Sequence, residues 1–233
     1  MDIFLMSGNH EPKPNKYRYR LYREHKYIFY VFTELLRYMS SIDFSDNHSP
    51  IKLRDEVNNL KFLLHGHAEH EERKIHLILK KINSSVLQKA EAQHRDQDLF
   101  FEAFSEKFLF TESSNRMEDR HAKGYEIYLD FRKFFSENLD HFDYEERVIL
   151  PELQKNVSDE TLREVDRAAY RVMTAEQMVE MMEVLFQHMN CDDRLHFLQD
   201  IKDCQPQKFE IAWTGIAPSL SEVERNTLIK LLK

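Results

Sequence analysis

The chain has 233 residues, enough for one large domain or a domain with an appendage, and only four glycines and six prolines. Its formal net charge of −8 argues against nucleic acid or an anionic membrane surface as a partner. No apolar stretch approaches the ~20 residues that a membrane-spanning helix needs, and Ile3-Phe-Leu-Met6 is too short, and lacks preceding basic residues, for a signal-peptide core. The only cysteines, Cys191 and Cys204, form no disulfide framework, so a reducing cytoplasm is the expected location.

Between the few breakers the apolar residues recur with helical rather than alternating spacing, which predicts an all-α fold. Residues 1–16 read as a flexible tail. The basic patch Lys13, Lys16, Arg18, Arg20, Arg23 and Lys26 reads as a solvated helix entrance. A first helix is expected from about Tyr17 to Ile42, broken by Ser45-Asp-Asn-His-Ser-Pro50, and a second to about Ile82, where Asn83-Ser84-Ser85 supplies a stop and a new cap. A third covers about Val86 to Phe110. After the polar turn Thr111–Asn115 a fourth ends near Pro151 or a few residues later, because a proline there loosens only the last turn.

The remainder, 157–233, reads as a helical extension that docks on these helices, on a protein partner or on a second copy. Asp159-Glu-Thr161 and Met173-Thr-Ala-Glu-Gln-Met open two helices. Asp193-Arg194 with Phe197, Leu198 and Ile201 resembles Glu224-Arg225 with Leu228, Ile229 and Leu232. Between these two segments, Cys204 to Ser221 is least like a helix and holds Pro206, Pro218 and the only tryptophan, Trp213.

One motif occurs twice. His67-Ala-Glu-His-Glu71-Glu72-Arg73 returns as His141-Phe-Asp-Tyr-Glu145-Glu146-Arg147, followed in both copies by matching apolar residues, Ile75 with Ile149 and Leu79 with Leu153. A histidine four residues before a glutamate on a helix stacks imidazole and carboxylate on one face, where they can grip a metal ion. Upstream of each copy stands a lone histidine before an aromatic run: His25 before Tyr27 to Leu36, and His94 before Leu99 to Phe108. The chain thus reads as two helical hairpins that aim His25, His67, Glu71, His94, His141 and Glu145 at one place. Four imidazoles and two carboxylates suit iron, manganese or zinc, and the lack of nearby thiolates argues against an iron–sulfur cluster. Two bridging carboxylates with two histidines per ion leave each metal short of octahedral coordination. Such a pair of irons is suited to binding dioxygen, nitric oxide or peroxide.

The order His…His-x-x-x-Glu…His…His-x-x-x-Glu, with Glu-Glu-Arg and Pro151 after the last pair, resembles the hemerythrin-like (HHE cation-binding) domain over about residues 17–156. The resemblance implies an up-down antiparallel four-helix bundle around a non-haem, oxo- or hydroxo-bridged di-iron centre with those six ligands. It also implies binding or sensing of a diatomic gas in oxidative or nitrosative stress, or iron handling. The oxygen carriers of the family have a fifth histidine one turn after the first on helix three, where this chain has Asp98. The four-histidine set is more similar to the iron–sulfur repair and nitric-oxide-responsive members, although the cysteine-bearing N-terminal segment usual in the repair proteins is missing. Peroxide turnover also fits, so enzyme or binding protein stays open at this point.

Asp98 after His94 and Phe29 after His25 would give one metal an extra carboxylate and the other an apolar wall, or Asp98 is a plain salt-bridging residue. His70 is a candidate for orienting ligands or for polar surface; its counterpart in the second copy is Tyr144. His121 is too far along its helix, His76 falls on the face opposite His67, and His65 points away. His10, His48, His188 and His196 read as surface. A ferritin-like di-iron bundle needs paired inward Glu-x-x-His motifs; Glu91-Ala-Gln-His94 is the candidate, and it has no partner motif at another site histidine. A metal-free helical interaction module is the rival of a different class.

Overall fold

The computed structural model describes residues 18–45, 49–114 and 116–232, and every regular element among them is helical. The expected tail, His10 and His48 lie outside the described residues. Four helices form a closed ring, α1 (His25–Met39), α2 (Ser49–Lys81), α3 (Leu87–Ser113) and α4 (Met117–Tyr144), in which α1 packs on α2 and α4, and α3 on α2 and α4. A π turn at Glu145–Ile149 leads into α5 (Leu150–Asn156). Five more helices follow: α6 (Asp159–Val172), α7 (Ala175–Leu185), α8 (Cys191–Cys204), α9 (Pro206–Ile216) and α10 (Glu222–Leu231).

The long helices carry their inward residues at spacings of three and four, so one stripe faces the ring interior. On α2 this stripe is Leu53, Val57, Leu60, Leu64, His67, Glu71, Ile75 and Leu79; on α4 and its continuation it is Ile127, Phe131, Phe134, Asn138, His141, Glu145 and Ile149. The polar residues interrupt the same position on each stripe. They lie between a phenylalanine-rich cluster (Phe32, Phe104, Phe108, Phe131) and an aliphatic one (Ile75, Leu79, Ile149, Leu153, Leu162). Gly124 permits the closest packing at the far end of the first cluster, since a Cβ there would sit 2.3 Å from the Phe44 ring.

Two boundaries differ from the expectation. Helix α1 starts at His25 rather than near Tyr17, and the residues before it form an arm in which Tyr22 has a left-handed φ of 69°. The fourth helical run ends a few residues after Pro151, at Asn156, as the sequence predicts. Proline cannot donate to the Arg147 carbonyl, and the wide π turn falls at that point. The stretch taken as least helical contains α9: Pro206 sits in its first turn, where no donor is needed, and Phe209, Ala212 and Ile216 bury one face. Trp213 stacks near Phe209. The openings of α6 and α7 follow the caps, with Ser158 accepting from Thr161 N–H and Thr174 forming a capping box with Gln177.

The basic patch is not simply solvated. Arg18 pairs with Asp159, Arg20 with Asp192 and Asp193, Lys26 with Asp193, and Arg23 with Asp166 at 3.1 Å. The Tyr19 hydroxyl sits between Asp166 and Asp200, 2.6 and 2.5 Å away, with one proton to share between them, and its backbone carbonyl accepts from Gln154. Asp200 is fully buried and also receives Arg163 (3.1 Å) and Arg167 (3.3 Å). Helices α6 and α8 therefore clamp the arm that leads into His25. Removing one partner of a buried ionic network leaves the others uncompensated. Asp200→Ala should lower the unfolding free energy by about 3–5 kcal/mol in a denaturant titration, whereas Asp192→Ala, at an exposed pair, should change it by less than about 1 kcal/mol.

Candidate metal centre

All six sequence-predicted site residues meet in one buried place. His25, His67, Glu71 and Glu145 each offer a donor atom within 4.8 Å of the others, and so do Glu71, His94, His141 and Glu145. The two groups share both glutamates. Each hairpin supplies the two histidines of one group, while Glu71 and Glu145 enter from opposite hairpins. No cysteine joins either group among the described residues. The inner distances are short: Nε2 of His25 lies 3.1 Å from Nε2 of His67 and 3.3 Å from Glu145 Oε2. Nε2 of His94 lies 3.1 Å from Glu71 Oε2, and Nε2 of His141 lies 3.2 Å from Glu145 Oε1.

The outer nitrogens explain the second glutamate of the repeat. Nδ1 of His25 donates to Glu146 at 2.9 Å, and Nδ1 of His94 donates to Glu72 at 3.3 Å, each across to the other hairpin. Nδ1 of His67 meets Glu24 at 3.4 Å and Nδ1 of His141 donates to Gln93 at 3.2 Å, each the residue just before its hairpin's lone histidine. An ionised carboxylate or an amide oxygen only accepts, so each Nδ1 carries a proton and Nε2 is the atom turned to the centre. Arg73 and Arg147 take no part in the centre; they pair along their own helices with Glu69 and Asp143.

These atoms suit a cation. The Nε2 atoms of His25 and His67 face each other at 3.1 Å, and Glu71 Oε1, His141 Nε2 and both Glu145 oxygens are buried without a hydrogen-bond partner. Burial pushes the Glu145 carboxyl up, reinforced by the charge of Glu71. Glu71 is held low against the opposing effect of burial by His67 and His94. Burial works to lower His67, but Glu71 and Glu24 raise it to about 9, whereas burial and the neighbouring histidines take His141 down to about 3, against the pull of Glu71. Two carboxylates in one dry site are costly unless positive charge lies between them.

Two expected walls are misplaced by one residue. Asp98 and Phe29 are exposed, because the inward direction after each lone histidine is at the third following residue, not the fourth. Those residues are Gln97, whose amide donates to Asn138 at 2.9 Å, and Ile28, which is buried. The asymmetry is therefore an amide pair against an aliphatic wall. His76 is also misplaced: it does face away from His67, but it is buried and stacks on the His94 ring at 5.3 Å. His70 is partly buried, with Nε2 3.4 Å from the Val165 carbonyl, and so does not orient a site residue. His65 and His121 are exposed. His188 is half-buried against Tyr30, and His196 is half-buried near Tyr19, so neither is plain surface. Glu24, Gln93 and Tyr22 were not foreseen. Their one sequence signal is adjacency to the lone histidines, and it was legible only for Glu24 and Gln93.

Paired His-x-x-x-Glu clusters between helices, with carboxylates common to both, define a cation-binding helical protein. The hemerythrin HHE cation-binding domain matches residues 18–153, and the chain belongs to that family. No curated protein and no solved structure matches the chain. Partners that orient a ligating histidine typically change metal affinity by about 10–100-fold. Glu146→Ala should weaken divalent-metal binding to that degree in a chelator competition titration, while Asp98→Ala should leave it unchanged.

Proposed function

We propose that this chain is a non-haem di-iron protein that binds or senses a small diatomic ligand, dioxygen or nitric oxide, in stress response or iron handling. The observation that carries this reading is the sharing of Glu71 and Glu145 between two histidine pairs. His25 and His67 would hold one ion, His94 and His141 the other, with both carboxylates common to the two. Imidazole and carboxylate donors suit iron, and also manganese or zinc. When bound, a pair of irons supplies a redox-active Lewis acid toward a diatomic ligand.

The chain's own residues supply the rest. Glu146, Glu24, Glu72 and Gln93 fix ring orientation through Nδ1. The two apolar clusters keep bulk water from both ends of the centre. An apolar groove of about 1040 Å³ reaches Glu24 and His67 from outside, passing Gly66, where a side chain would meet open space. It gives a small neutral molecule a short approach. In this reading residues 17–156 are the metal-holding unit, residues 157–233 clamp its entry arm, and Cys191 and Cys204 remain thiols in a reducing cytoplasm.

Anaerobic reconstitution with ferrous iron should load two irons per chain, with optical spectra that change on adding dioxygen or nitric oxide. Failure to hold two irons would overturn the proposal. Metal uptake should also release protons. Glu145 and His67 both have raised affinity for a proton in the metal-free protein, so a cation must displace protons from them. Affinity should accordingly rise with pH toward about 9, and calorimetry in two buffers of different ionisation enthalpy should report the released protons.

A further inference from the structure

Tyr22 is held against the centre at a cost. Its φ of 69° is a left-handed conformation that an aromatic residue rarely adopts, and such strain persists only where surrounding structure enforces it. The enforcing contacts are the clamp on its neighbours: Tyr19 and Arg23, on either side, are tied to Asp166 and Asp200. The ring stacks on His25 at 4.9 Å with an interplanar angle of 24°, and Phe142 stacks on His25 as well, at 4.4 Å. The side chain is 5% exposed and joins the aliphatic cluster with Ile75 and Ile149, each one turn beyond a site glutamate.

Within that cluster the Tyr22 hydroxyl has no hydrogen-bond partner. A buried phenol normally finds one, since leaving it unpaired costs free energy with nothing in return. The ring that carries this hydroxyl lies face to face with the imidazole of His25, one of the six residues of the centre. Phenylalanine in the same place would fill the same space without the orphaned group. The second hairpin has no counterpart: three residues before His94 stands Glu91, which pairs with Lys80 at 3.1 Å.

The geometry points to Tyr22 as the hydrogen-bond donor to the exogenous ligand of the centre, on the His25–His67 side. This rests on the two-metal reading above. The phenol offers its O–H to an acceptor atom of the ligand, so it selects for ligands with a lone pair at that position. The strained backbone and the clamp on Tyr19 and Arg23 serve to hold that hydroxyl in place.

Azide is a suitable probe, because it is small, anionic and optically reported when it joins ferric iron. In the ferric-loaded full chain, Tyr22→Phe should keep the metal content of the wild type and bind azide about tenfold more weakly or worse. Site-specific replacement of Tyr22 by 3,5-difluorotyrosine, a stronger donor of nearly the same shape, should tighten azide binding when measured below its lowered pKa. That arm decides the matter if Tyr22→Phe fails to fold. Unchanged azide affinity in either variant that retains metal overturns the assignment. So does a tyrosinate-to-iron charge-transfer band in the wild type that Tyr22→Phe abolishes, since it would make the phenol a ligand instead of a donor. Absence of metal from the wild-type protein would instead overturn the two-metal reading, and the donor role with it.

Discussion

Two carboxylates, Glu71 and Glu145, share one dry site, each only 1% exposed, and that constraint shapes the rest of the molecule. Like charges placed this way cannot both remain ionised without compensation. Four inward imidazole nitrogens provide none while they are neutral, because they bring lone pairs of their own. The arrangement makes physical sense around cations. Every inner donor must then be aimed, and every Nδ1 has been given an acceptor that aims it. The repeated Glu-Glu is one device with two parts: the first residue enters the site, and the second reaches across to the neighbouring hairpin's histidine.

The clamp follows from the same demand. Three of the four site-bearing segments lie inside long helices or their continuation, where position is set by packing on both sides. His25 is at the first turn of α1, preceded by an arm whose backbone bond into it is a long one, His25 N–H to the Tyr22 carbonyl at 3.4 Å. Helix ends fray unless tied. The ion pairs from α6 and α8 to Arg18, Arg20, Arg23 and Lys26 supply the missing restraint, so the helices after Asn156 contribute to the geometry of a site to which they give no donor.

Much of this was legible in the sequence, because helical periodicity and a duplicated motif are local properties of the chain. His67, Glu71, His141 and Glu145 fall on the buried stripes that the apolar residues already mark. What was not legible depends on rotation and on partners distant in sequence. The difference between Asp98 and Gln97 is one residue, about 100° of helix rotation, and it decides which side chain faces inward. The basic patch resembled a solvated face because its acidic partners, Asp159, Asp166, Asp193 and Asp200, lie more than a hundred residues away. Pro206 suggested a break because proline punctuates helices, yet in a first turn it is compatible with one. His76, nine residues past His67, falls on the opposite face by helix periodicity alone. Its burial against His94 required knowing where α3 packs.

The duplication is also broken in ways that make the two halves of the centre unequal. Glu24 stands behind His67 where Gln93 stands behind His141, so one outer acceptor carries a charge and the other does not. A carboxylate draws the Nδ1 proton toward itself and makes the opposite nitrogen a better donor than an amide does. The flanking side chains diverge as well: His25 lies between the rings of Tyr22 and Phe142, while His94 is covered by His76 and neighbours the Gln97–Asn138 pair. A symmetric cage would hold two equal ions equally. This one gives the His25–His67 half two outer carboxylates and the orphaned phenol, and the His94–His141 half one outer carboxylate, Gln93 and a self-satisfied amide pair. The departures from the repeat therefore assign the two halves different electronic surroundings, with the groove opening on the half that holds Tyr22.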